Sequence, residues 1–209
     1  KTAYEIPKRD WSSDVCSSDL INLAATLAAR GLHTLLVDLD PQSHCAAGLG
    51  VPEERIEHGI AEALICDPPG GANPEAMLWE VAKNLRLAPS TVTLAGLEAA
   101  RGGLASLPDR DARLAKVLDR LADRFDWCII DCPPTIGLLT FNALRAADEA
   151  LVPVETGYFA LKGSERQVAT IEAMAVRLGR ALPLRILPTL HRPGAKLAGD
   201  LLAAIERRH

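Results

Sequence analysis

The run Trp127-Cys-Ile-Ile-Asp-Cys-Pro-Pro134 is a short apolar stretch that stops on an acid and a turn. It reads as a buried strand, and an acid at its tip lies at the carboxyl edge of a parallel sheet, where open α/β sheets bind ligands. A second run, His33-Thr-Leu-Leu-Val-Asp-Leu-Asp-Pro-Gln42, ends in Asp38 and Asp40, spaced to share one face. Two acid-tipped strands point to one site for a metal ion and phosphate, because carboxylates hold hard cations and the cation neutralises phosphate oxygens. The plainer alternative is that each acid only caps the helix after its strand.

Other catalytic patterns are missing. There is no Gly-x-Ser-x-Gly elbow and no His-Glu-x-x-His pair, and Gly48-Leu-Gly50 is followed by Val51, Pro52 and Glu53 rather than a dinucleotide loop. The five histidines are scattered, and His44 is near the acids in sequence only. Cys128 and Cys132, if on one strand, stand roughly 13 Å apart at ~3.3 Å per residue, too far for a shared ion or a disulfide. They read as small buried hydrophobes. Cys45 and Cys66 have no partner spacing.

The elements that must position the acids alternate between helix and strand signals, the pattern of a doubly wound sheet. Residues 111–125 form the clearest helix. Leu114, Val117, Leu118, Leu121 and Phe125 make its apolar stripe, with Arg113, Lys116, Asp119, Arg120 and Asp123 facing solvent. The loop Asp67-Pro-Pro-Gly-Gly-Ala-Asn-Pro74 reads as the most flexible internal connection. A chain of 209 residues, 48% apolar and 24% charged, fits a single globular domain. Its net charge of −4 gives no bulk cationic field for nucleic acid. Five cysteines, no signal-peptide core and no apolar run near ~20 residues lead to the expectation of a cytoplasmic protein without a membrane span.

The acid motifs resemble those of the ParA/MinD family of P-loop ATPases, whose second strand ends in Asp-x-Asp-Pro-Gln and whose Walker B strand ends in Asp-x-Pro-Pro. The resemblance runs on in order. Ile21-Asn-Leu-Ala-Ala-Thr-Leu-Ala-Ala-Arg-Gly31 is similar to the family's first helix, and Leu85-Arg-Leu-Ala-Pro-Ser90 with Leu94-Ala-Gly-Leu-Glu98 to its third strand and following helix. Gly137-Leu-Leu-Thr-Phe-Asn-Ala-Leu144, Leu151-Val-Pro-Val154 and Ile186-Leu-Pro-Thr189 resemble the segments after the Walker B strand. The implied fold is α/β, a doubly wound, mainly parallel sheet of P-loop NTPase type, incomplete at both ends.

The Walker A loop has no counterpart. Such a loop curls Gly-rich amides around phosphate, with a Lys on the β/γ oxygens and a Ser/Thr hydroxyl on Mg²⁺. The family's form, Lys-Gly-Gly-x-Gly-Lys-Thr-Thr, precedes the helix that here starts near Ile21, yet residues 1–20 hold no Gly, and the chain has no adjacent Gly-Lys pair. Asp10-Trp-Ser-Ser-Asp-Val-Cys-Ser-Ser-Asp-Leu20 resembles the translation of a sequencing adapter instead. The alternative is a natural polar arm in which Ser17, Ser18 or Asp19 caps the next helix. Two regions are therefore expected: residues 1–20, non-native or disordered, and residues 21–209, a ParA-like ATPase domain without its first strand and phosphate loop.

The resemblance implies ATP and Mg²⁺ as cofactors. Asp131 would hold the metal, Asp38 would support its shell, and Asp40 would position the attacking water. It further implies an ATP-bridged homodimer, a centromere-binding partner protein, nonspecific DNA binding through a region not present here, and a nucleoid-associated cytoplasmic location. Two rivals stay open: a MinD-like ATPase that positions a protein or membrane cargo, and a non-catalytic interaction module. Residues 196–208 are amphipathic through Leu197, Leu201, Leu202 and Ile205, which a core-docked helix explains more simply than a membrane anchor.

Overall fold

A strand buried on both faces needs an apolar body, and Thr34-Leu-Leu-Val-Asp38 has one in Leu35, Leu36 and Val37, with all five residues buried. The computed structural model describes residues 2–4, 13–97, 103–133, 135–155 and 160–189. Its strands are β1 (Thr2–Tyr4), β2 (Thr34–Asp38), β3 (Trp79–Ala82), β4 (Leu85–Ala88), β5 (Trp127–Asp131), β6 (Glu149–Glu155) and β7 (Leu184–Thr189). They form one sheet in the order β3-β4-β2-β5-β1-β6-β7. Neighbours run parallel except β3 and β4, which are antiparallel. The mainly parallel α/β sheet expected from the sequence is therefore present, with one antiparallel edge strand that the sequence did not announce.

The helices are α1 (Ser13–Ala29), α2 (His44–Gly48), α3 (Ile60–Ile65), α4 (Thr93–Leu97), α5 (Arg113–Asp119), α6 (Leu138–Ala146) and α7 (Ala160–Arg177). They cover both faces because successive strand residues point to opposite sides. Leu35, Val37 and Leu39 join Cys128, Ile130 and Cys132 in a core with residues of α3 to α6. Leu36 and Ile129 point the other way, to Leu20, Ala24 and Ala28 of α1 and to Cys45 and Ala46 of α2. A third cluster packs Ala150, Val152 and Val154 against Val168, Ile171 and Met174 of α7.

Several expectations are corrected. The first helix starts at Ser13, not near Ile21, so Ser17, Ser18 and Asp19 are interior residues and not caps. The helix expected over 111–125 spans Arg113–Asp119 and gives way to a short 3₁₀ turn at Ala122–Arg124. Its stripe is nonetheless buried through Leu114, Val117, Leu118 and Leu121. Arg113 does not face solvent: it is buried, and it donates from Nε to Leu64 O at 2.8 Å and from Nη2 to Cys66 O. Arg120 donates to Pro69 O and Gly71 O at 2.7 and 2.6 Å, so the 67–74 loop is tied down by one guanidinium group, with Arg113 holding the residues just ahead of it. Thr2–Tyr4 pairs in parallel with β5 on one side and β6 on the other, so residues 1–20 supply a short strand to the sheet. Residues 196–208 lie outside the described residues.

Candidate functional site

The tips of β2 and β5 are neighbours by register. Parallel pairing sets the Cα of Asp38 opposite that of Asp131, and Leu39 N donates to Asp131 O at 2.9 Å, which locks the two ends together. Beyond Asp38 the chain turns back on its own acids. Asp40 N donates to Asp38 Oδ1 at 3.1 Å, Gln42 N to Asp40 Oδ1 at 2.9 Å, and Ser43 N to Asp40 O at 3.0 Å. Ser43 adopts a left-handed φ of 55°, and this delivers Cys45 N to Asp38 Oδ2 at 3.2 Å as α2 begins. Asp38 thus fulfils part of the helix-capping alternative, while Asp131 does not.

The side chain of Asp131 takes its partners from two other elements. Ser17 Oγ on α1 donates to Asp131 Oδ2 at 2.6 Å, and Cys45 Sγ donates to the same oxygen at 3.2 Å. Asp38, Asp40 and Asp131 are all buried, and so are Ser17 and Cys45. Burial pushes the Asp131 carboxyl up to about 6, opposed by the Ser17 and Cys45 hydrogen bonds and aided by the charge of Asp40. His44 is close enough to oppose that rise, so its nearness to the acids is spatial as well as sequential. Asp38 is held well above the usual carboxylate range, first by burial and then by the charge of Asp131.

All three acids expected from the sequence are therefore brought to one sheet edge. Two members of the cluster were missed. Ser17 had a signal: Ser17-Ser18 stands just ahead of Ile21, where the family's loop ends on Thr-Thr. Cys45 had none, because only the left-handed turn at Ser43 carries a residue seven positions beyond Asp38 back to its carboxylate. The carboxylates of Asp38 and Asp131 and the Ser17 hydroxyl fit a hard, oxygen-seeking cation, and the Cys45 thiol does not.

A mainly parallel sheet covered by helices on both faces, with acids at adjacent strand tips, is the architecture of P-loop NTPase-like proteins. Residues 17–184 match the family model described as AAA domain. The chain is 38% identical over 186 residues to the chromosome partitioning protein ParA of Myxococcus xanthus, covering 88% of this chain and 64% of that one. It is 35% identical over 162 residues to the sporulation initiation inhibitor protein Soj of Bacillus subtilis, covering 78% and 62%. The crystal structure of cobyrinic acid a,c-diamide synthase from Mycobacterium smegmatis with bound ATP analog and magnesium superposes with a TM-score of 0.83. That match is at 29% identity and covers all of this chain and 82% of that one. The chain belongs to the ParA/MinD family of P-loop ATPases. It spans less than two thirds of the length of the Myxococcus and Bacillus relatives. No described helix is long and apolar enough to cross a membrane.

Proposed function

We propose that the chain is the ATPase domain of a ParA-type partitioning protein, in which Mg-ATP binding and hydrolysis drive dimerisation and the partitioning of plasmid or chromosomal DNA. The observation that supports this most directly is the Asp38–Asp131 pairing at the carboxyl edge of the sheet, with the Ser17 hydroxyl on Asp131. Bound Mg²⁺ would supply charge neutralisation on the phosphate oxygens, which is most of what phosphoryl transfer requires. Asp131 and Ser17 hold the cation in this reading, and Asp38 supports its shell. Asp40, whose Oδ1 is fixed by the Gln42 amide, orients the attacking water. The finished protein forms an ATP-bridged homodimer, meets a centromere-binding partner and associates with the nucleoid in the cytoplasm.

The chain in its present form lacks the Gly-rich amides and the Lys that hold the phosphates. Residues 5–12, where that loop would begin, lie outside the described residues. The reading therefore separates two states: the chain as it stands, inactive or a non-catalytic interaction module, and a chain with the family's loop restored ahead of α1. Calorimetric ATP titration and phosphate release on both forms test this. Binding and turnover are expected only after restoration, and turnover at equal rates without the loop would overturn the phosphate-loop argument.

A further inference from the structure

The acid cluster contains a thiol that phosphate chemistry does not need. Cys45, fully buried at the start of α2, points its Sγ at Asp131 Oδ2 from 3.2 Å while its amide holds Asp38 Oδ2. One ligand atom from each of Asp38, Cys45 and Asp131 lies within 4.8 Å of the other two. Donors around a four-coordinate ion, bonded at ~2.0–2.3 Å, stand about 3.3–3.8 Å apart, so a small contraction gathers all three into one shell. Ser17 Oγ, 2.6 Å from the same Asp131 oxygen, is placed to complete it. A separate observation also points to a cation. Two carboxylates are buried side by side, and among the described residues no Lys or Arg forms an ion pair with either, although the His44 charge reaches Asp131. Buried like charges are costly until a positive charge stands between them.

The class of cation follows from the donors. Mg²⁺ is bound through oxygen and keeps several waters, whereas a mixed thiolate–carboxylate set suits Zn²⁺ and its thiophilic relatives. We propose that Asp38, Cys45 and Asp131 form a site for a thiophilic divalent cation of the Zn²⁺ class, overlapping the position assigned to Mg²⁺ and occupied without nucleotide. This rests on the proposed metal role of the two acids. Its consequence is that such an ion competes with Mg²⁺ for the catalytic position.

The test uses the 209-residue chain, stripped with chelator and free of nucleotide. Co²⁺ serves as the optical probe and Zn²⁺ is followed by calorimetry. A sulfur-to-cobalt charge-transfer band in the near ultraviolet is expected, with Zn²⁺ abolishing it. Cys45→Ser and Cys45→Ala should lose the band and bind Zn²⁺ ~10–100-fold more weakly, with Mg²⁺ affinity within about threefold. Cys66→Ser should keep it. The proposal is overturned if wild type shows no band, or if a Cys45 variant, folded by circular dichroism, keeps the band or the Zn²⁺ affinity. Restoring the phosphate loop separates this inference from the functional reading: Mg-ATP binding without a thiolate band sinks only the cation proposal, and a band without ATP binding sinks only the ATPase proposal.

Discussion

Asp131 shows how a buried acid trades stability for a task. Burial raises its carboxyl to about 6, so the folded state holds its proton more tightly than the unfolded chain does. The sign follows from linkage: the folded state is favoured most below the unfolded value near ~3.9, and stability is lost as pH rises from there through about 6. In cation-free buffer at pH 7, Asp131→Asn should therefore stabilise the chain by ~1–3 kcal/mol, a gain that shrinks towards pH 4. Thermal melts across that range check it; a variant that melts no higher than wild type at pH 7 would contradict the assignment. With the phosphate loop restored, Asp40→Ala should keep nucleotide binding and slow turnover by ~10²–10⁴. Asp131→Ala should instead weaken Mg²⁺-dependent binding, because a metal-holding charge is gone. Isotherms and phosphate-release rates on both variants separate the two roles, and identical defects would erase the distinction.

Among the elements, α5 depends on a polar residue from its neighbour. Asn142 on α6 is wholly buried, accepts Leu114 N through Oδ1 at 3.0 Å, and donates from Nδ2 to Arg110 O at 2.7 Å and Leu138 O at 2.9 Å. It thereby satisfies an amide in the first turn of α5, which lacks a side-chain cap of its own at Ala112. Asn142→Ala strands these groups away from water and should cost ~1–3 kcal/mol, read as a lower denaturant midpoint. An unchanged midpoint would show that α5 is held by its apolar stripe alone. α3 is placed with as little freedom: Ile60 N donates to Pro89 O at 2.9 Å, and a Cβ on Gly59 would come within 2.6 Å of that same carbonyl oxygen.

In the whole molecule, β1 is the interior strand that residues 1–20 supply, between β5 and β6. β1 is three residues long, and β5 and β6 on either side of it are five and seven. A buried backbone group left without a ladder partner costs ~1–3 kcal/mol, so how completely residues 1–20 fill the place between β5 and β6 bears directly on stability. Replacing residues 1–20 with a family-type strand and phosphate loop should raise the melting temperature markedly. Equal melting temperatures would show that residues 1–20 fill that place as well as a family-type strand does. The same replacement should make the chain dimerise with ATP, seen by sedimentation as a nucleotide-dependent shift, while the present chain sediments identically with and without ATP.

How much of this was legible in the residues depends on whether the determinant was local. Continuous apolar runs ending on Asp38 and Asp131 determined two buried strands with acids at one edge, because a parallel strand covered on both faces has no other composition open to it. The apolar stripe of Leu114, Val117, Leu118 and Leu121 determined that α5 faces the core. Helix length was not settled by that stripe, since α5 ends at Asp119 and the chain continues through a 3₁₀ turn at Ala122–Arg124. Arg113 read as a solvent-facing cation, yet the carbonyls of Leu64 and Cys66, some fifty residues away, decided its burial. Ser17 and Cys45 joined the acids for the same reason. Hydrogen bonds spanning separations of 114 and 86 residues exist only once α1 and α2 pack on one face of the sheet beside Asp131. The sequence by itself thus determined which residues carry charge at the strand tips. The tertiary structure alone decided which hydroxyl and which thiol share that charge, because those contacts are made by packing between elements and leave no periodic trace along the chain.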